Sequence, residues 1–372
     1  MTFTPEQDDL RASVRKLLDR EAEPWPALCG QVGVAALTVP QRFGGFAIEP
    51  VTQPADPADP IHHSGPIRPR QSAAPGSPDN AIGITEVQIV AEELGRDLTD
   101  VPFLGSSVLA VTSLLATTNT NTNATETDSP VLARLLPALA EGIVGALAWT
   151  ADGHWDPLQP AFTADESTVN GTAHYVLDAA GADVLLAAAR TPDGPALFEV
   201  DPANPGVRCE PVPTMDETRH LATVTLDRVR ARPLGRVDLA RVRDVACAVL
   251  AAEQAGAAAR ALELTVEYTR RRVQFGRPIG SFQALKHRMA DLHVLVETAR
   301  SAAYAAPKSP RLAAVAKVHC SEVFAAVAAE MIQLHGGIAI TWDHPAHRYF
   351  KRAHATSQLF GAPHHHLSRV HP

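Results

Sequence analysis

The chain has 372 residues, a formal net charge of -8 and a pI ≈ 6.0. That length allows two or three packed units around a large core, and the acidic balance offers no basic field for nucleic acid or an anionic membrane surface. The four cysteines, Cys29, Cys209, Cys247 and Cys320, lie far apart with no C-x-x-C pair, which argues against structural zinc and a secreted disulfide framework and fits a reducing cytoplasm. The opening MTFTPEQDDLRASVRKLLD lacks an apolar signal core, and no later run of about 18 apolar residues is expected to span a bilayer.

Leu10, Val14, Leu17 and Leu18 recur at helical spacing, so residues 4–20 are predicted as a helix with Thr4-Pro5-Glu6-Gln7 as its capped start. An apolar stretch over 32–40 leads into Arg42-Phe43-Gly44-Gly45, where paired glycines suit a tight turn. Residues 49–80 are rich in proline, serine and alanine and too poor in large apolar groups to offset ordering entropy; they read as an exposed, mobile insertion. Helical periodicity returns over 86–98 and 104–115, and a polar tract over 117–129 reads as a loop.

Between 144 and 234 the pattern changes to short apolar runs, such as Tyr175-Val176-Leu177 and Val184-Leu185-Leu186, separated by Gly, Pro, Asp and Asn. A small β-domain follows from that pattern. From 242 the chain turns helical again, with stretches to 270, over 282–306 and over 313–334. The expected organisation is mainly α with a central β-domain: 1–143 helical, 144–237 β, 238–372 helical.

One segment is specific. Arg272-Val273-Gln274-Phe275-Gly276-Arg277-Pro278-Ile279-Gly280-Ser281-Phe282-Gln283 resembles the R-x-x-F-G-x-x-I-x-x-F-Q signature of acyl-CoA dehydrogenases. Val39-Pro40-Gln41-Arg42-Phe43-Gly44-Gly45, Glu92-Glu93-Leu94-Gly95-Arg96 and Gln333-Leu334-His335-Gly336-Gly337 agree with that family in order and spacing. The resemblance implies an N-terminal helical domain, a central β-barrel and a C-terminal four-helix bundle. Arg272 can donate paired hydrogen bonds to a pyrophosphate, and Phe275 offers a flat apolar surface to a cofactor ring. Gln333 can bond an adenine or ribose edge, while Gly336 and Gly337 let a phosphate or sugar come close to the backbone. In the family these positions hold the adenosine-diphosphate half of an FAD bound mainly by a neighbouring subunit.

The pattern fails where the chemistry would occur. Acyl-CoA dehydrogenation needs a carboxylate to remove the proton next to the thioester carbonyl. At the family's base position stands Phe360, ahead of Gly361-Ala362-Pro363, and at its alternative position, counted back from Phe275, stands Ala246. Asp244 lies about 200° around the helix from Ala246, and Glu253 lies on its face but two turns, about 10 Å, further along. No catalytic residue is assigned. The T-E-x-x-x-G-S-D turn that holds the flavin ring in the family reads Trp149-Thr150-Ala151-Asp152-Gly153-His154-Trp155-Asp156 here. Tyr175 takes the aromatic position of the N-G-x-K-x-W motif, and Leu177 replaces the hydroxyl residue after it.

The groups for this chain's own flavin ring are degraded, and those that reach a neighbour's FAD remain. That asymmetry resembles the base-lacking subunit of actinobacterial α₂β₂ acyl-CoA dehydrogenases, several of which act on steroid side-chain thioesters. The resemblance implies a homologous catalytic partner, an acyl-CoA substrate and an electron-transfer flavoprotein as acceptor. Two readings compete: a self-sufficient dehydrogenase or oxidase using Glu253 or Asp244, and a structural subunit that touches no cofactor. His364-His365-His366, with His344, His347 and His354, forms no complete ligand set, so no metal is assigned.

Overall fold

The computed structural model describes residues 3–47, 83–118, 130–165 and 168–370. The insertion expected at 49–80 and residues 119–129 of the polar tract lie outside the described residues.

Helix α1 (Pro5–Leu18) starts as its capping sequence dictates: the Thr4 hydroxyl accepts from Gln7 N at 3.3 Å and the Gln7 side chain accepts from Thr4 N at 3.1 Å. After the short α2 (Pro24–Ala27) come α3 (Ile84–Arg96) and the segment Phe103–Leu115, which is π-wound over Phe103–Ala110 before it tightens into α4 (Val111–Leu115). The polar tract begins as β1 (Thr117–Thr118) rather than as loop, and α5 (Pro130–Ala140) follows it.

Strands β2 (Gly145–Ala148), β3 (Phe162–Asp165), β4 (Thr168–Leu177), β5 (Val184–Thr191), β6 (Gly194–Val200), β7 (Val207–Val212), β8 (Leu221–Arg230) and β9 (Arg232–Val237) form one sheet in the order β1-β9-β6-β5-β3-β4-β8-β7, with β2 also on β5. Strand β5 pairs in parallel with β2 and β3 and antiparallel with β6. Its alternation sorts the two faces. Leu185, Ala187 and Ala189 join Ala146, Ala148 and Phe198 in a core of the sheet's own, while Leu186 and Ala188 join Leu147, Trp149 and Leu197 against the helices.

The chain ends in helices again: α6 (Leu239–Arg271), a hairpin of β10 (Val273–Gln274) and β11 (Arg277–Pro278), α7 (Gln283–Ala305), α8 (Pro310–His335), α9 (Ala346–Gln358) and α10 (Leu367–Val370). Helices α6 and α8 run parallel, since Gln254 bonds Ser321 at 3.1 Å and, further along both, the Tyr268 hydroxyl donates to the His335 carbonyl at 3.2 Å. Gln88 of α3 donates to the carbonyls of Ala248 on α6 and Ala303 on α7, at 3.1 and 2.7 Å. A second anchor is steric: a Cβ on Gly256 would stand 2.0 Å from the Glu92 carbonyl oxygen, and one on Gly95 would stand 2.1 Å from that of Glu253.

One expectation is corrected. Leu239–Arg271 and Pro310–Ile340 are each long and apolar enough to cross a membrane by length and composition. Both contribute buried side chains to the bundle, which accounts for their alanine-rich, apolar character; the count of consecutive apolar residues missed it because scattered polar residues interrupt the runs.

Candidate nucleotide half-site

Helix α6 stops at Arg271, and Arg272 turns extended at φ -72° and ψ 119°. The hairpin that follows pairs Val273 with Pro278 and Gln274 with Arg277, leaving a two-residue turn of Phe275 at φ 54° and Gly276 at φ 74°. Positive φ at both places defines the primed hairpin turn, where asparagine or aspartate normally precedes the glycine. Phenylalanine there is strained, and its ring is 91% exposed, touching Phe282 edge-on at 6.1 Å. Arg272 is exposed and makes no ion pair with any described residue.

At the end of α8, Gly336 adopts φ 66° and ψ -146°, close to backbone territory reserved for glycine. A Cβ at Gly336 or Gly337 would meet nothing within 4 Å, so the backbone is open to a close approach, and Gln333 is exposed beside it. His335, just before them, is buried; its Nδ1–H donates to the Met331 carbonyl at 2.8 Å, and burial lowers its pKa. The ring stacks on Tyr268 at 4.3 Å and against His344 at 4.4 Å. Tyr268 and His335 thus bring the C-terminal ends of α6 and α8 together. Neither was singled out from sequence, although Tyr268 sits one helical turn before Arg272.

The cation at Arg272, the exposed ring at Phe275, the exposed amide at Gln333 and the open glycine backbone suit the phosphates, ring and adenosine of a dinucleotide. By the chemistry of their side chains and open backbone, these residues fit the adenosine-diphosphate half of FAD.

Groups for a flavin ring of this chain's own do not fit. In the Trp149–Asp156 loop the Thr150 hydroxyl accepts from Gly153 N at 3.0 Å and Trp155 N at 3.4 Å, and Asp152 accepts from His154 N at 2.9 Å. The amides of Gly153, His154 and Trp155 are therefore closed on the loop itself. Trp155, at φ 55°, turns its ring inward, 5.4 Å from Trp149 and 5.0 Å from Phe360. Phe360, at φ 60°, has no exposure, and neither has Ala246. An aromatic block thus occupies the position of the family's base. Tyr175 is half-exposed at φ 56°, and Leu177 is buried.

The neighbouring carboxylates are committed elsewhere. Asp244 pairs with Arg369, fastening α10 to α6; burial raises its pKa despite that arginine. Glu253 receives Arg219 at 2.5 Å and Arg352 at 2.9 Å. Burial alone would raise its pKa, but the two guanidiniums outweigh burial and hold it below the usual range. Glu253 is therefore not poised to accept a proton, and Asp244 is engaged by Arg369.

Residues 244–371 match the family described as Acyl-CoA dehydrogenase, C-terminal domain. Acyl-CoA dehydrogenase IpdE2 of Mycolicibacterium smegmatis is 37% identical over 363 residues, covering 97% of this chain and 91% of that protein. Among solved structures, the ChsE4-ChsE5 complex from Mycobacterium tuberculosis superposes with a TM-score of 0.78 at 26% identity, over 99% of this chain and 97% of that one. A single-substitution variant of the Tcur3481-Tcur3483 steroid ACAD gives 0.76 at 28% identity, over 98% and 96%. With an identity of 37% sustained along nearly its whole length, this chain belongs to the acyl-CoA dehydrogenase family.

Proposed function

We propose that this chain is the base-lacking subunit of a cytoplasmic, hetero-oligomeric, FAD-dependent acyl-CoA dehydrogenase of α₂β₂ type, completing the FAD site of a homologous catalytic partner. The observation that carries the reading is an asymmetry within one molecule. Exposed Arg272, Phe275, Gln333, Gly336 and Gly337 lie on α6 and α8 ends joined by Tyr268, whereas Trp149, Trp155 and Phe360 fill the place of a base. Val273, Ile338, Ile340 and Trp342, exposed by 53%, 42%, 75% and 74%, belong to the segments that follow those helices, as an apolar rim around an unfinished site would.

Arg272 bonds pyrophosphate oxygens, Phe275 covers a ring, Gln333 bonds the adenosine edge, and the two glycines let the diphosphate meet the backbone. FAD, when bound, takes the hydride from the β-carbon of the acyl thioester; the partner supplies the carboxylate for the α-proton. An electron-transfer flavoprotein is the acceptor. The steroid ACAD among the structural relatives supports a bulky, steroid-derived acyl group.

Co-expression with the adjacent-gene partner tests this. The complex is expected to hold one FAD per pair of unlike chains, and Arg272→Ala is expected to lower that content. A homo-oligomer of this chain with a full complement of FAD, bleached by acyl-CoA, overturns it; undiminished flavin in the Arg272→Ala complex overturns the assigned grip.

A further inference from the structure

We infer that Tyr268 and His335 are positioning residues that hold the two gripping elements of this half-site at a fixed spacing. The inference rests on the half-site reading and adds to it. One set of groups, Arg272 and Phe275, follows the end of α6; the other, Gln333, Gly336 and Gly337, sits at the end of α8. Helix ends fray, and each carries carbonyls with no partner in its own helix. A diphosphate gripped by both ends needs them in register.

The register comes from a cluster of rings. Tyr268 lies one turn before Arg272, and His335 immediately precedes Gly336. Their rings stack with centroids 4.3 Å apart and planes 28° apart. The Tyr268 hydroxyl donates to the His335 carbonyl at 3.2 Å, capping α8 from α6. His335 also meets His344 at 4.4 Å, in the connection that leads to α9, and His344 lies edge-on to Tyr268 at 6.4 Å, so the three rings close on one another.

Each ring is fixed by direction as well as contact. The Met331 carbonyl, which can only accept, puts the His335 proton on Nδ1. His344 Nδ1 accepts from Ala346 N at 3.2 Å, so its proton lies on Nε2. His335 Nε2 is left buried with no hydrogen-bond partner among the described residues, a cost that a phenyl ring would avoid. What a phenyl could not supply is the bond to Met331 that sets the ring plane under Tyr268. The cluster therefore orients; it does more than fill volume.

The test uses the co-expressed complex and measures FAD dissociation together with displacement of FAD by adenosine diphosphate, with folding checked by far-ultraviolet circular dichroism. Tyr268→Leu removes the stack and the hydroxyl, and is expected to weaken FAD and adenosine diphosphate alike by roughly tenfold, the scale set by residues that orient direct ligands. Tyr268→Phe keeps the stack and is expected to regain most of the loss. A folded Tyr268→Leu complex that binds both as the wild type does overturns the inference. Should that variant not fold, His335→Gln is decisive on the same readout, with wild-type affinity again overturning it. Arg272→Ala separates the two proposals: no effect there sinks the half-site itself, whereas a loss there beside an unaffected Tyr268→Leu sinks only the positioning role.

Discussion

Glu253 and His366 are both buried ionisable groups, one held charged by its partners and the other held neutral mainly by burial. Glu253 is held ionised by Arg219 and Arg352. Glu253→Gln would leave Arg219 without its carboxylate partner and Arg352 with Asp216 alone, at 2.9 Å, with an expected loss of about 3–5 kcal/mol in urea unfolding. Its pKa is lowered by folding, so its contribution is present above the unfolded value and fades as pH falls through the folded one. His366 is held neutral: its Nε2–H donates to the Phe360 carbonyl at 2.9 Å, and Nδ1 accepts from Arg369 at 2.9 Å. Burial lowers its pKa from 6.5 to about 4. Between those values the unfolded chain binds the proton and the folded chain does not, so stability falls as pH drops from 6.5 toward 4, by up to about 3 kcal/mol. His366→Gln, able to make both bonds without titrating, is expected to flatten that difference when urea midpoints at neutral and acid pH are compared with the wild type. That Phe360 cannot itself accept a proton was legible in the sequence, because the residue type alone excludes it. That Trp155 would turn inward against Phe360 was not, since it depends on a positive φ at a tryptophan.

At the crossing of α3 and α6 the backbones touch through Gly95 and Gly256. A methyl group at either site would lie within 2.0 or 2.1 Å of a carbonyl oxygen of the opposing helix, and backbone cannot swing aside as a side chain can. Gly256→Ala is therefore expected to cost at least the upper part of the about 1–3 kcal/mol usual for overpacking, read as a lower thermal midpoint. Sequence periodicity located both helices, but a lone glycine in a helix says nothing about which element comes close to it. The same limit appears in the hairpin after α6. Phe275-Gly276 breaks the residue preference of its turn, so local rules give no hairpin there. An element whose apolar spacing is regular, such as α1, was legible because one face alone decides it, whereas β5, apolar on both faces, was legible as a short apolar run between turn residues. The helix over 104–115 was legible from its periodicity, but the π-winding of Phe103–Ala110 was not, because apolar spacing does not report which carbonyl each amide bonds.

Over the whole molecule, the helical, β, helical order follows from the switch between periods of about 3.6 and 2, and the described elements take that order. The residues named for the cofactor leave a different trace: groups competent to bind that stand exposed. Arg272 is exposed and has no ion pair among the described residues, and Phe275 stands off the bundle on a strained turn. Strain and exposure of this kind reduce the stability of an isolated chain and are recovered only when something binds. Linkage makes that measurable. A ligand that binds only the folded assembly stabilises it by about 2.7 kcal/mol at a hundredfold excess over its dissociation constant. Added FAD is therefore expected to raise the melting temperature of the complex with the catalytic partner and to leave that of this chain alone unchanged. A rise of equal size in the isolated chain would mean that its own residues enclose the cofactor, and the division of the site between two polypeptides would fall with it.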